Sequence, residues 1–201
     1  QGELGKDSEM YKRIRTNPNA KQLLKNLPLY WGEQPIVNGP TYAGAIVIFL
    51  FVLGLLFVKS EMRLWLLLAT ILSVTLSWGK NLMPLTDLFL DYFPGYNKFR
   101  AVSMILVIAE FALPLLAFIA LNRFLNIEIE STKLKEKVLR YAFYITGGIS
   151  LLFALMPSMF FDFVGMQDEI LKQRGWPVDA LQIDRANILS QDAWRSFLFI
   201  S

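Results

Sequence analysis

Between residues 79 and 101 the chain gathers Lys80, Asp87, Asp91, Lys98 and Arg100, with Pro84, Pro94, Gly95 and Tyr96 between them. Arg100 stands at the mouth of a long uncharged run, where a guanidinium can offer two parallel N–H donors to a phosphate. Lys98 and Tyr96 flank it, and Lys80 would add charge to the same anion. Plain anchoring to headgroups accounts for such cations equally well, because basic side chains at span ends reach up to the interface. Asp87 and Asp91 form an i, i+4 pair on one face of a short predicted helix. Carboxylates there can accept a proton from an attacking hydroxyl, hold a divalent cation, or pair with Lys98 and Arg100. A solvated acidic face gives the same spacing.

Glu110 differs because it is the one charge in the run 101–122. Ionised and unpaired at mid-bilayer, a carboxylate costs about 2.5–3.5 kcal/mol on insertion scales, so it must be protonated, paired or turned to a polar cavity. Two readings stay open: a wall of a lipid-carrier groove or a proton-linked step, and a buried hydrogen bond that fixes helix packing. Pro114, four residues on, has no N–H for the Glu110 carbonyl and predicts a bend. Trp31, two residues before Glu33, is either a ring on which a sugar stacks or an interfacial belt residue. Asp184, Arg185 and Asp192 have no spacing that demands chemistry and are expected on a solvated face.

The chain has neither cysteine nor histidine, which excludes disulfides, thiolate nucleophiles, imidazole bases and the usual zinc ligand sets. No metal site is assigned to its residues, and a divalent metal stays open, with Asp87 and Asp91 as the carboxylates that could bind one. A net charge of +3, with the cations mostly at the ends of apolar runs, gives nucleic acid no surface to bind and suits membrane lipids instead.

Apolar runs decide which elements must position these residues. At 54% hydrophobic and 18% charged, the composition suits a membrane better than a soluble core. A helix needs about 20 apolar residues to cross the hydrocarbon, and lipid tolerates no unpaired backbone. The predicted fold is therefore all-α: a polytopic transmembrane bundle with complete spans at about 41–58, 64–79, 101–122 and 141–161. A fifth span is expected to begin at 194–201 and to be cut off, as if the chain were an internal piece of a longer protein. Residues 1–40 are expected to be the end of an outer loop and the approach to the membrane, 80–100 an interfacial loop with a short helix over 84–93, and 162–193 a second outer loop. That second loop should carry an amphipathic helix over 178–189, opened by Trp176-Pro177. Seven cations occupy the loops 59–63 and 123–140 (Lys59, Arg63, Arg123, Lys133, Lys135, Lys137 and Arg140), against Lys80, Lys98 and Arg100 in the other loop. The positive-inside rule then places loops 1–40, 80–100 and 162–193 outside the cytoplasm.

Four stretches carry a resemblance: Leu29-Tyr30-Trp31-Gly32-Glu33-Gln34-Pro35, Gly39-Pro40-Thr41-Tyr42-Ala43-Gly44, Leu76-Ser77-Trp78-Gly79-Lys80-Asn81, and Pro94-Gly95-Tyr96-Asn97-Lys98-Phe99-Arg100-Ala101. Nearly the whole chain resembles the downstream half of YfhO-like bacterial membrane proteins, especially their Bacteroidetes members. The family's pattern has a second basic residue soon after Phe-Arg, where this chain has Ser103 and Met104. YfhO-like proteins resemble the GT-C glycosyltransferases, which implies a GT-C-like bundle in the bacterial inner membrane. The implied activity is transfer of a sugar from a polyprenyl-phosphate donor to an envelope polymer or glycolipid on the outer face. The resemblance implies that Arg100, Lys98, Lys80 and Tyr96 hold donor phosphate and that the catalytic carboxylate lies outside this chain, with Asp87 and Asp91 as weak substitutes. Alternatives from other classes are a transporter or lipid flippase, suggested by Glu110 and Pro114, and a noncatalytic subunit of a membrane complex.

Overall fold

The computed structural model describes residues 4–5, 7–16, 20–25, 27–32, 43–98, 102–126 and 132–201. Among these the protein is all-helical, with one isolated parallel bridge, Gly32 to Gly165, and no strand. It divides into two compact units, Pro40–Gly147 with Phe199–Ser201, and Gln1–Gly39 with Gly148–Leu198.

The first, apolar unit contains α3 (Ala45–Phe57), α4 (Glu61–Ser77), α5 (Met83–Tyr92), α6 (Leu106–Asn126) and the N-terminal part of α7 (Thr132–Leu155). Helix α3 stops at Val58, which turns extended, and α4 restarts at Ser60, whose hydroxyl accepts from the Met62 amide at 3.3 Å. A side-chain cap of this kind satisfies one of the first-turn amides that a helix leaves unpaired. Phe51, Leu53, Val58, Leu116, Ala120, Val138 and Ala142 form the core. Gly54 permits the closest approach: a Cβ there would meet Leu116 Cγ at 2.8 Å, the Leu116 carbonyl at 3.1 Å and Ala120 Cβ at 3.2 Å. Small residues at such contacts let helix backbones come together where burial alone gives no drive.

Cross-contacts set the helix directions. Gly54 meets Leu116 and Ala120, and Val58 shares a cleft of about 190 Å³ with Ile119, Arg123 and Arg63. At the far end Ser73 Oγ donates to the Ile105 carbonyl at 2.6 Å. Helices α3 and α6 thus run the same way and α4 runs against them, which gathers Arg63 and Arg123 at one end.

Two helical stretches are long and apolar enough to cross a membrane, Ser103–Asn126 and Lys133–Leu155, or three if the bent pair Glu61–Ser77 and Gly79–Tyr92 counts as one. The expected four complete spans are thus not all present as single long helices. Helix α3 has 13 residues, about 20 Å at 1.5 Å each; Ala43 and Gly44 before it are not helical, and residues 41–42 lie outside the described residues. The expected span 141–161 is shifted to Thr132–Leu155. Nothing in 133–140 breaks a helix, whereas Pro157 disfavours helical geometry at Met156, where α7 ends.

The second unit contains α1 (Glu9–Ile14), α2 (Ala20–Lys25), the turn α8 (Pro157–Phe160), α9 (Asp168–Gln173) and α10 (Val178–Ile200), with the end of α7. Its small core joins Met10, Leu24 and Leu181, with Leu27, Leu29, Leu171 and Trp176 packed around them. Ser190 Oγ donates to the Ala154 carbonyl at 2.6 Å. The amphipathic helix expected over 178–189 and the span expected to begin at Trp194 are one continuous helix, because no glycine or proline interrupts residues 178–200.

Candidate functional site

The residues singled out for anion chemistry lie on an elbow in the apolar unit. Helix α4 and the stretch Gly79–Tyr92 meet at 110°. Gly79 makes the reversal with φ 50, a left-handed conformation that costs glycine little. Thr86 Oγ1 donates to the carbonyls of Gly79 at 2.9 Å and Leu82 at 3.2 Å, tying the start of α5 to the bend. Pro84 sits in the first turn of α5, where its missing amide proton costs nothing.

Lys80 is exposed in the 3₁₀ turn Gly79–Leu82, Asp87 and Asp91 are exposed on α5, and Lys98 is exposed in the 3₁₀ turn Tyr96–Lys98. The two turns contact α5 at its two ends, so Lys80 and Lys98 flank the helix that carries Asp87 and Asp91. Tyr96 is buried, its ring 5.7 Å from Phe89, which in turn stacks on Phe93 at 5.5 Å. The Tyr96 ring thus packs against α5. Arg100 and Glu33 lie outside the described residues. Neither Asp87 nor Asp91 is in an ion pair, and no group of three His, Cys, Asp or Glu converges among the described residues.

Glu110 is exposed on α6 and has no hydrogen-bond partner among the described residues. Helix α6 buries Ala109, Ala112, Leu116, Ala117 and Ala120, and Glu110 falls on the exposed side with Val107 and Phe111. The helix continues through Pro114. Trp31 is half-buried, its ring 5.1 Å from Phe163 and 6.5 Å from Phe161.

The largest correction concerns Asp184 and Arg185, expected on a solvated face and found buried at 2% and 0% exposure. Asp192 is solvated as expected, 3.6 Å from Arg195. Asp184 accepts from the Glu9 amide at 2.8 Å and the Met10 amide at 2.9 Å, while Ser8 Oγ accepts from Tyr11 N at 3.2 Å, so the first amides of α1 are satisfied from two sides. Arg185 donates through Nη1 to Asp168 Oδ2 at 2.7 Å and to the Phe163 carbonyl at 2.8 Å. Through Nη2 it donates to Asp168 Oδ1 at 2.9 Å and to the Pro28 carbonyl at 2.8 Å.

The same carboxylate accepts from the Gly165 amide at 2.9 Å, and a Cβ at Gly165 would lie 2.9 Å from Arg185 Nη2. Gly32, with φ 111, donates its amide to the Val164 carbonyl at 3.0 Å. Burial pushes the Asp168 carboxyl up, but the Arg185 hydrogen bond, the Gly165 amide, the Arg185 charge and Gln182 outweigh it and hold the group below its ordinary value. This buried fork fastens segment 28–32 to loop 163–168, and with its oxygens occupied it has structural rather than catalytic chemistry. One signal of it was in the sequence: Val178, Leu181 and Arg185 follow at helical spacing, which puts a charge on the apolar stripe of α10.

No family model, curated protein or solved structure matches the chain.

Proposed function

We propose that this chain is part of an integral membrane glycosyltransferase that takes a sugar from a polyprenyl-phosphate donor and passes it to a cell-envelope acceptor. In this reading the protein is multi-pass in the bacterial inner membrane, with the α4–α5 elbow on the outer face. The elbow is the observation that carries it. A lipid-linked phosphate needs cations at headgroup depth beside apolar surface for its tail. Lys80 and Lys98 are exposed in the turns at either end of α5, and Leu88, Leu90 and Phe93 are exposed on and just after that helix. Arg100 follows Lys98 by two residues and supplies the bidentate donor. The resemblance to YfhO-like proteins supports the same assignment, with the catalytic carboxylate contributed from outside this chain.

The test is photocrosslinking of a benzophenone-tagged polyprenyl phosphate to the protein in nanodiscs. Crosslinks are expected on peptides spanning 80–100, reduced at least fivefold in K80A/K98A/R100A while the helix content is unchanged. Equal labelling of wild type and variant removes the reading. A noncatalytic subunit of a membrane complex is then the better account, and Glu110 favours it, since a carboxyl on an exposed span face is relieved by a neighbouring helix that offers a donor.

A further inference from the structure

A groove of about 460 Å³ runs along the first turns of α7, lined by Lys133, Glu136, Lys137, Arg140, Tyr141 and Tyr144. Lys133, Lys137 and Arg140 follow at i, i+4 and i+7, and Tyr141 and Tyr144 continue the stripe, since residues three and four apart share a helix face. All six side chains are exposed, and none of the three cations is in an ion pair among the described residues; Lys137 Nζ lies 5.9 Å from the centre of the Tyr141 ring. Like charges at this spacing repel, and Lys133 stands in the first turn, where the helix dipole is itself positive. Among the described residues of the lining, Glu136 is the one acidic group that opposes them.

The stripe then changes character within two turns. Tyr141 and Tyr144 give way to exposed Ile145, in a stretch, Lys133–Leu155, that is long and apolar enough to cross a membrane. A ligand that satisfies both parts has a negative head and a hydrocarbon tail, which free phosphate lacks. We infer that this groove seats the headgroup of an anionic phospholipid, its phosphate against Lys133, Lys137 and Arg140 and its glycerol region against the two tyrosines. Tyrosine suits that depth because its ring is apolar and its hydroxyl reaches water. The site is distinct from the elbow and does not depend on the carrier-binding role proposed for it.

The purified protein in a nonionic detergent, titrated with dioleoyl phosphatidylglycerol, dioleoyl phosphatidylcholine or inorganic phosphate and followed by native mass spectrometry, tests this. Phosphatidylglycerol is expected to bind at least tenfold more tightly than phosphatidylcholine. K137Q/R140Q should lose about fivefold in phosphatidylglycerol affinity per cation removed, with phosphatidylcholine binding unchanged. K59Q/R123Q removes the same charge from the same end of the unit but outside the groove's lining, and should change affinity less than twofold. Should the double variant fail to fold, Lys137→Gln alone gives the same reading at a smaller shift. Equal binding of the two lipids, an equal loss in K59Q/R123Q, or displacement of phosphatidylglycerol by millimolar phosphate would each overturn the assignment, the last by pointing to a free anion.

Discussion

Asp168 and Arg185 are buried together, and each is tolerable only because the other is there. A buried guanidinium that loses its carboxylate leaves an uncompensated charge, and breaking such a pair costs about 3–5 kcal/mol. Arg185→Ala and Asp168→Asn should therefore each destabilise the unit that holds them by about that amount, seen in urea unfolding followed by Trp31 and Trp176 fluorescence. Arg185→Lys should recover little, because one ammonium cannot reproduce a fork that spans Asp168, Phe163 and Pro28. Acid titration gives the sign. The Asp168 carboxyl is held below its ordinary 3.8, so its contribution is complete above that pH and is lost as pH falls through the folded value. The stability gap between wild type and Asp168→Asn should begin to close only as the pH falls below about 4; a constant gap would mean that the carboxylate charge is not what matters. The pair was not legible as a pair, since 17 residues separate its members and the Pro28 carbonyl lies 157 positions away. The charge on the apolar stripe of α10 was legible, and it marked burial rather than chemistry.

Helices were legible wherever breakers were absent and charge was missing, and their ends followed local chemistry. The Gly79 and Pro84 signals in the sequence correspond to the elbow, and Pro157 sets the end of α7 better than the first charged residue sets its start. Helix pairing was less legible, because what decides it is the size of a few residues on facing surfaces. Gly54 and Gly148 make the contrast testable. A methyl at Gly54 would overlap Leu116, so Gly54→Ala should cost about 1–3 kcal/mol as overpacking. A methyl at Gly148 meets nothing within 4 Å, so Gly148→Ala should stabilise by up to about 1 kcal/mol through helix propensity alone. Thermal unfolding of both variants in one detergent checks the order Gly54→Ala, wild type, Gly148→Ala. Reversal of the first two would remove the close α3–α6 contact as a determinant of the bundle.

At the scale of the molecule, the two units have interiors of different kinds. The apolar unit turns Trp65, Phe111 and Phe118 outward at 68–70% exposure, more apolar surface than water tolerates on a monomer, and its fit is to hydrocarbon. The other unit buries Asp168, Asp184 and Arg185 with their hydrogen-bond partners, and it too exposes apolar side chains, among them Leu155, Met159 and Leu198. In the apolar unit, α3 and α6 run against α4, so the segment 59–63 and Arg123 share an end, and Lys135 over the Phe124 ring at 5.2 Å brings the start of α7 to it. The elbow lies at the other end of α4. Charge asymmetry between the two ends then predicts orientation, with the basic end in the cytoplasm. The chain has no cysteine, so single cysteines report cleanly. Asp91→Cys and Lys98→Cys, both at exposed positions of the elbow, should react with a membrane-impermeant maleimide in intact cells. Lys59→Cys and Lys133→Cys, exposed at the basic end, should react only after permeabilisation. The inverse pattern would place the elbow in the cytoplasm, away from any outer-face donor, and labelling of all four in intact cells would mean that the unit does not separate two compartments.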